Sequence, residues 1–229
     1  MNIVECVNVT KTYRQGKMEV RALGGVSLRI KKGGFVALAG PSGSGKTTLL
    51  NIIGGLDAAD SGSVIVEGNV LDNMSQTELA QLRLRKIGFV FQSYNLIPVL
   101  SALENVEFVM LLQGVPTKER LDRARTILDD VGLEGLYDRR PAELSGGQQQ
   151  RVAVARAIVS DPAIVLADEP TANLDSKTGR ELLEMMGEMN EQKSVTFIFS
   201  THDKMVMDHA RRLVLIRDGL LADDQDRDP

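Results

Sequence analysis

The segment Gly40-Pro-Ser-Gly-Ser-Gly-Lys46-Thr47 constrains this chain more than any other, because it matches the spacing G-x-x-x-x-G-K-[ST]. It follows an apolar run at 35–39 that predicts a strand, and residues 46–56 after it have the pattern of a helix. Glycines let the backbone curl so that its N–H groups point at an anion, and the helix N-terminus adds partial positive charge. The sequence therefore predicts a strand–loop–helix unit that binds nucleotide phosphates, in preference to a flexible glycine–serine loop.

Two side chains of this loop have distinct predicted roles. Lys46 would bring a full positive charge to the β- and γ-phosphates, and the Thr47 hydroxyl would bind Mg²⁺. The predicted phosphate-binding residues are Gly40, Ser42, Gly43, Ser44, Gly45, Lys46, Thr47 and Thr48. The motif alone indicates a P-loop nucleotide-binding protein, a group that includes GTPases, kinases and motors.

Two further apolar runs, at 164–169 and 195–203, predict buried strands that end in polar residues. Ligands of open parallel sheets bind at the carboxyl ends of the strands, so these residues would face the phosphate loop. Asp168 would hold Mg²⁺, and Glu169 would orient or deprotonate the water that attacks the γ-phosphate. His202 would donate a hydrogen bond to the γ-phosphate or contact that water. An exposed acidic turn and a purely structural histidine are the alternatives.

The order of the predicted elements indicates an α/β protein. The chain has 229 residues, 43% hydrophobic and 25% charged, as expected for one soluble domain. Alternating strands and helices predict a P-loop NTPase core with a mainly parallel sheet, an N-terminal antiparallel β subdomain and an inserted helical subdomain. We predict one domain over 1–229: segments 1–92 and 141–222 form the core and β subdomain, 93–140 forms the helical insert, and 223–229 forms a solvated acidic tail.

Charge and cysteine content limit the possible partners and the cellular compartment of the protein. The net charge of −4 argues against nucleic-acid binding by bulk electrostatics. The single cysteine, Cys6, rules out an intrachain disulfide and favours a reducing compartment. The sequence begins without the pattern of a signal peptide, and no apolar run approaches 18 residues. We therefore expect a cytoplasmic protein that reaches a membrane only through a partner.

A second glycine-containing helix start lies at Leu144-Ser-Gly-Gly-Gln148. Ser145 and Gln148 have the spacing of a capping box, which would be a sufficient local explanation. However, Gly146 and Gly147 are poor helix formers. Glycines at a first helical turn suit a site where an anion approaches bare N–H groups, so the segment indicates a second phosphate-binding helix start.

Together these motifs resemble the ABC ATPase family, and the resemblance extends over nearly the whole chain. Segment 40–47 resembles the Walker A motif, 164–169 the Walker B motif and 144–148 the family signature. The family's Q-loop, D-loop, switch histidine and adenine-stacking aromatic are matched by Gln92, Asn173-Leu-Asp175, His202 and Tyr13. The pair Ala172-Asn173 replaces a commoner small pair, a mild departure. The resemblance implies further nucleotide-binding residues, namely Tyr13, Val20, Ser145, Gly146, Gly147, Gln148 and Asp175.

The resemblance also implies a mechanism of ATP hydrolysis. Two copies of the chain would face each other head to tail, so that ATP and Mg²⁺ on one Walker A segment meet Ser145 of the other copy. Ser145, Gly147 and Gln148 would then donate to the γ-phosphate. Gln92 would contact Mg²⁺ or the attacking water, and Asp175 would link the two sites. The implied catalytic residues are Glu169, His202 and Gln92, and the implied Mg²⁺-binding residues are Thr47, Gln92 and Asp168.

The segment that begins at Tyr94 and ends at Leu100 is apolar for a loop beside an active site, and the resemblance implies that this surface docks onto integral membrane permease subunits. We expect Tyr94, Leu96, Ile97 and Pro98 to be exposed there; packing inside the insert is the alternative. The segments 14–23 and 95–98 resemble bacterial ATPases of the macrolide-exporter and lipoprotein-releasing branch. Branches with a C-terminal regulatory domain fit poorly, because little chain follows Ile216.

Two other functions stay open at this point. One is a soluble ABC ATPase that acts on DNA or ribosomes, although such members carry long coiled coils or two cassettes. The other is a P-loop kinase, which the signature segment and Glu169 disfavour. The cargo, and the choice between export and regulatory mechanotransmission, depend on the membrane partner.

Overall fold

The computed structural model describes residues 1–16 and 18–227, and these residues form two β-sheets and seven α-helices. The strands are β1 (Asn2–Gln15), β2 (Met18–Lys31), β3 (Phe35–Ala39), β4 (Ser61–Val66), β5 (Asn69–Val70), β6 (Ile87–Val90), β7 (Ile164–Asp168), β8 (Thr196–Thr201), β9 (Arg212–Arg217) and β10 (Leu220–Asp226). The smaller sheet is antiparallel with the order β2-β1-β4-β5. The larger sheet has the order β10-β9-β3-β8-β7-β6 and is parallel except for β10. The predicted α/β fold class is therefore confirmed.

Seven helices accompany these strands within the described ranges: α1 (Lys46–Ile53), α2 (Gln76–Lys86), α3 (Ala102–Leu112), α4 (Thr117–Asp130), α5 (Gly146–Ile158), α6 (Ser176–Lys193) and α7 (Lys204–His209). Helices α2 and α3 each begin with a reciprocal capping box, formed by Ser75 with Glu78 and by Ser101 with Glu104. Helices α3 and α4 lie within the predicted insert and pack on each other and on α5. None of the helices in the described ranges combines the length and the apolar character that crossing a bilayer requires.

The central strand β3 divides the core into two halves. Its side chains alternate: Phe35, Ala37 and Ala39 join the apolar cluster formed with α3 to α6, whereas Val36 and Leu38 join the cluster formed with α1 and the antiparallel sheet. All five residues of β3 are buried, as a strand covered on both faces requires. This arrangement carries the loop after β3 to the edge of the sheet where β7 and β8 also end.

Two predicted boundaries are wrong. The acidic segment that starts at Asp223 is not a tail up to residue 226, because it completes β10, which pairs antiparallel with β9. The Asp224 carboxylate accepts two hydrogen bonds from the Arg212 guanidinium, at 2.8 and 2.7 Å, so the acidic composition reflects a cross-strand ion pair. Residues 228 and 229 of the predicted tail lie outside the described residues. The helix predicted over 46–56 ends at Ile53, where Gly54 and Gly55 follow.

Candidate functional site

The loop between β3 and α1 depends on glycine at two positions. Gly40 has φ of 153°, and a Cβ there would lie 2.1 Å from the carbonyl oxygen of Ile216. Gly45 has φ of 103°, and a Cβ there would lie 2.4 Å from the carbonyl oxygen of Ala22. Since other residues rarely adopt these conformations and have no room for a side chain, glycine is required for the loop to curl against its neighbours.

Lys46 is a buried cation that forms no ion pair with any residue of the described ranges. Its side chain is 6% exposed, and its ammonium group donates to the carbonyl oxygens of Gly40 and Pro41, at 2.9 Å each. Burial lowers the pKa of Lys46, although the negative charges of Glu169 and Asp168 act in the opposite direction. The nearby Ser44 hydroxyl is also buried and forms no hydrogen bond with any described residue. A buried charge and a buried hydroxyl of this kind are stabilised by an anionic ligand, so the loop fits a phosphate group.

The start of α1 and the end of β7 bring two oxygen donors together. The Thr47 hydroxyl donates to the Asp168 carboxylate at 3.0 Å, and the Ser200 hydroxyl of β8 lies 3.5 Å from Thr47. Hydroxyl and carboxylate oxygens are the ligands that Mg²⁺ prefers, with phosphate oxygens and water completing its shell. The described part of the chain contains no cluster of three or more His, Cys, Asp or Glu residues that could hold a metal. The donor set therefore fits Mg²⁺ bound together with a phosphate.

The next carboxylate, Glu169, is held by a histidine. The Nδ1 atom of His202 lies 2.7 Å from Glu169 Oε1, and the Glu169 N–H donates to the Ser200 carbonyl at 2.9 Å. Glu169 has φ of 47°, a left-handed conformation that is uncommon outside glycine. Its side chain is 16% exposed, whereas that of His202 is 65% exposed. A half-enclosed carboxylate fixed in this way can orient a water molecule or accept its proton.

Tyr13 and Val20 face each other across the β1–β2 hairpin, and both side chains are exposed, by 40% and 49%. The pair forms an apolar surface on which a planar base can stack. The Tyr13 hydroxyl donates to Asp57 at 2.6 Å, a contact that the sequence analysis missed. Asp57 belongs to a polar loop after α1 whose composition indicates only a turn, so the sequence holds no signal for this contact.

A hydrogen bond joins the loop that follows β6 to the loop that precedes α6. The exposed Gln92 follows β6, and its carbonyl oxygen accepts a hydrogen bond from the Asn173 side chain at 2.9 Å. Asp175 caps α6 by accepting from the N–H groups of Lys177 and Thr178, at 3.0 Å each. The Thr178 hydroxyl also donates to Asp175 and lowers the pKa of this carboxyl group. Both loops are therefore ordered by contacts within the chain.

The start of α5 is separate from the phosphate loop. Ser145 accepts a hydrogen bond from the Gln148 N–H at 3.3 Å, and the Gln148 side chain accepts one from the Ser145 N–H at 2.9 Å. Ser145 is exposed, and no hydrogen bond between described residues joins the segment 144–148 to the segment 40–48. The structure thus brings Lys46, Thr47, Asp168, Glu169 and His202 to one edge of the sheet, but leaves Ser145, Gly146, Gly147 and Gln148 elsewhere.

The predicted exposure of the apolar segment 94–100 is only partly correct. Pro98 is exposed and Val99 is 73% exposed, but Tyr94, Leu96 and Ile97 are half-buried. Leu96 packs against the core cluster that includes α3 and α5. The difference arises because Arg156 of α5, another residue that the sequence analysis missed, donates to the carbonyl oxygens of Tyr94 and Asn95 and draws the segment inward.

A groove of about 370 Å³ lies beside this segment, between α2, β6, α3 and α5. Its lining includes the apolar side chains of Leu84, Phe89 and Val109 and the Arg156 guanidinium. Burial lowers the pKa of Arg156, and within the described part of the chain its hydrogen bonds go only to carbonyl groups. The groove can accept an apolar segment of a second protein.

Comparison with known proteins agrees with this geometry. The family described as "ABC transporter" matches residues 23–172. The lipoprotein-releasing system ATP-binding protein LolD of Syntrophus aciditrophicus is 44% identical over 217 residues, 95% of this chain and 97% of that protein. The macrolide export ATP-binding/permease protein MacB of Syntrophobacter fumaroxidans is 47% identical over 96% of this chain, which spans only 31% of that longer protein.

A solved structure is similar over almost the entire length. It is a dimeric, post-hydrolysis state of the ATP-binding cassette MJ0796, a protein of Methanocaldococcus jannaschii, bound to ADP and Pi. The TM-score is 0.91 and the sequence identity is 43%, with 99% of each chain covered. The arrangement of sheets and helices described above is therefore that of a known nucleotide-binding cassette.

Proposed function

Since this chain belongs to the ABC transporter family as an ATP-binding cassette, we propose that it binds and hydrolyses ATP as one half of a dimer that drives a membrane permease. The observation that carries the proposal is the buried Lys46 ammonium, whose hydrogen bonds within the described part of the chain go only to carbonyl groups of a loop that requires glycine. The γ-phosphate of ATP would supply the missing negative charge. The family match favours this transporter role over a soluble ABC ATPase of DNA or ribosomes.

The proposed hydrolysis uses the residues at the edge of the large sheet. Lys46 and the loop N–H groups bind the phosphates, while Thr47 and Asp168 hold Mg²⁺, which neutralises phosphate charge. Glu169 accepts a proton from the attacking water, and His202 keeps the Glu169 carboxylate oriented, as their 2.7 Å contact allows. Tyr13 and Val20 stack on the adenine base, and the exposed Gln92 contacts Mg²⁺ or the water.

The second copy supplies the rest of the site. The segment Ser145 to Gln148 presents glycine N–H groups at an exposed helix start, yet no hydrogen bond between described residues joins it to its own phosphate loop. A partner subunit in head-to-tail orientation would place its own signature segment over the γ-phosphate, with Asp175 linking the two sites. The dimeric state named for the similar MJ0796 structure supports this arrangement. Loss of the γ-phosphate then releases the dimer, because the phosphate bridges both subunits.

The groove beside residues 94–100 is the structural basis for proposing a permease partner. The exposed Pro98 and Val99 and the apolar lining of Leu84, Phe89 and Val109 fit a membrane-protein segment that docks there. The longer relative MacB, a macrolide export ATP-binding/permease protein, joins both functions in one chain. We propose that this chain serves permease subunits of the same branch at the inner face of the cell membrane, either for export of lipoprotein-, peptide- or drug-type cargo or for mechanotransmission.

The replacement Glu169→Gln tests the proposed hydrolysis. We expect phosphate release to fall by about 100-fold or more, because the general base is lost, while ATP binding persists. The variant should also accumulate as a dimer with Mg-ATP, measured by light scattering after size-exclusion chromatography. Glu181→Gln, an exposed glutamate of α6, is the matched control and should retain wild-type turnover. Turnover of Glu169→Gln near the wild-type rate would disprove the assignment, and a phosphorylated acceptor in place of free phosphate would indicate a kinase.

The membrane partner is tested with tagged Glu169→Gln purified from detergent-solubilised membranes in Mg-ATP. We expect mass spectrometry to identify a multi-span membrane protein whose recovery falls when Val99 is replaced by Asp. Recovery of ribosomal or DNA-bound proteins without a membrane protein would instead support the soluble alternative. The replacement Val70→Asp, at another exposed apolar side chain, serves as the control.

A further inference from the structure

Three side chains form a connected cluster beside the hairpin, which we call the Asp57 clamp: Lys11, Tyr13 and Asp57. The Tyr13 hydroxyl donates to Asp57 Oδ2 at 2.6 Å, and the Lys11 ammonium donates to Asp57 Oδ1 at 2.7 Å. The same ammonium group lies 5.2 Å from the centroid of the Tyr13 ring, within the range of a cation–π contact. One carboxylate therefore holds both the tip of the aromatic side chain and the cation beside its ring.

The clamp is more enclosed than an ordinary surface ion pair. The Lys11 and Asp57 side chains are only 12% and 29% exposed, and Lys11 also donates to the Ala58 carbonyl at 2.7 Å. Burial raises the pKa of Asp57, but the hydrogen bonds from Lys11 and Tyr13 lower it by more. Burial and the hydrogen bond to Asp57 raise the pKa of Tyr13. At neutral pH the carboxylate is therefore charged and the phenol keeps the proton that it donates.

The position of the clamp connects it to the phosphate loop. Asp57 follows α1, the helix that begins at Lys46, whereas Lys11 and Tyr13 belong to β1. Asp57 thus joins the Tyr13 side chain to the loop that follows α1, and Tyr13 is still 40% exposed.

We propose that Asp57 and Lys11 are positioning residues that hold the Tyr13 ring ready to stack on the adenine base and so set the affinity for ATP. The inference rests on the proposed function, because it assumes that Tyr13 contacts the base. A freely rotating tyrosine would have to be ordered when the nucleotide binds, at a cost in affinity. With the hydroxyl anchored, that ordering is complete before the nucleotide arrives.

A purely structural role is the competing explanation, since the same ion pair also attaches the loop after α1 to β1. The two roles differ in what they do to ligands without a base. A positioning role affects ATP but not inorganic tripolyphosphate, which has the phosphate chain and lacks adenine. A structural role that deforms α1 affects both ligands alike.

The experiment measures the dissociation constants of ATP and tripolyphosphate for the full chain by isothermal titration calorimetry. The variants are Tyr13→Phe, Asp57→Ala and the double variant Tyr13→Phe/Asp57→Ala. We expect each single replacement to weaken ATP binding by about three- to tenfold, the range for immobilising one side chain, with tripolyphosphate binding unchanged. Because Asp57→Ala already breaks the hydrogen bond that Tyr13→Phe removes, the double variant should bind ATP about as well as Asp57→Ala alone.

Asp72→Ala is the matched control, because Asp72 also anchors a neighbouring segment, through Ser63 and Val64, but does not touch Tyr13. The control should bind ATP as the wild type does. Wild-type ATP affinity in Tyr13→Phe, or equal losses for ATP and tripolyphosphate in Asp57→Ala, would overturn the inference. Tyr13→Phe changes one hydroxyl on the surface, so it provides the test even where Asp57→Ala does not fold. Failure of the wild type to bind either ligand would instead disprove the proposed function itself.

Discussion

The phosphate loop and the start of α5 are both glycine-containing helix starts, but they differ in the contacts that hold them and in their exposure. The phosphate loop is fixed by the chain itself, since Lys46 is buried and Thr47 contacts Asp168 across the sheet. Among the residues that the structure describes, only Ser145 and Gln148 cap the start of α5, and Ser145 is exposed. One half of the proposed site is therefore assembled within the chain, and the other half is presented outward.

This difference has a physical basis. A buried cation such as Lys46 must be held by surrounding dipoles before its ligand binds, and the carbonyl groups of Gly40 and Pro41 provide them. An exposed helix start needs no such support, because water can satisfy the N–H groups that its capping box leaves free. From this comparison we predict that one subunit binds ATP alone and that efficient hydrolysis requires the second subunit.

The largest expected effect comes from the phosphate-loop half. Replacing Lys46 with Ala should weaken ATP binding and reduce turnover by about 100-fold or more, because the cation that faces the phosphates is lost. Equilibrium binding of a fluorescent ATP analogue measures this loss. Lys177→Ala, at an exposed lysine of α6, is the control and should bind normally. Near-normal turnover of Lys46→Ala would show that the phosphate loop is not the site.

The next prediction tests whether the phosphate loop and the signature segment of one site come from different subunits, by mixing two variants. Lys46→Ala and Ser145→Arg should each be inactive alone, but a mixed dimer contains one site with an intact loop and an intact signature segment. With random pairing, turnover should recover to about a quarter of the wild-type value, measured as phosphate release. Circular dichroism of Ser145→Arg checks its fold. A mixture that stays inactive would contradict a site shared between subunits.

A smaller effect is expected at the start of α5. A Cβ at Gly147 would lie 2.5 Å from the Thr178 methyl carbon, so Gly147→Ala should reduce turnover several-fold through overpacking. The double variant Gly147→Ala/Thr178→Ser removes that methyl group and keeps the hydroxyl that donates to Asp175. Recovery of turnover in the double variant would assign the loss to packing. A persistent loss of turnover would show that position 147 must lack a side chain so that an anion can approach its N–H group.

The smallest effect concerns the cap of α6. The Thr178 hydroxyl lowers the pKa of Asp175 in the folded chain, so ionised Asp175 stabilises the fold above its unfolded pKa of 3.8. This contribution should disappear as the pH falls through the lower, folded pKa. Urea unfolding should show a smaller wild-type advantage over Asp175→Asn at pH 3 than at pH 6. Thr178→Val should reduce the same advantage, and an equal advantage at both pH values would exclude this origin.

Much of the fold follows from local sequence patterns. The run at 35–39, the glycines of the loop and the capping pairs each specify a local conformation, which explains why β3, α1 and α5 begin where the sequence predicts. The segment 223–226 was misassigned because an exposed edge strand rich in aspartate has the composition of a solvated tail. Its strand structure comes from backbone pairing with β9, where Arg212 also forms an ion pair with Asp224.

The candidate site likewise has one part that a local sequence motif predicts and another part that depends on contacts between distant residues. The sequence alone indicated the residue types that bind phosphate and Mg²⁺, because a P-loop is a contiguous motif in which neighbouring residues share one task. Only the tertiary structure placed Asp57 on the Tyr13 hydroxyl, the Asn173 side chain on the Gln92 carbonyl and Arg156 on the segment 94–100. These contacts join residues 44 to 81 positions apart, and no local pattern encodes which distant partners the folding of the sheet brings together.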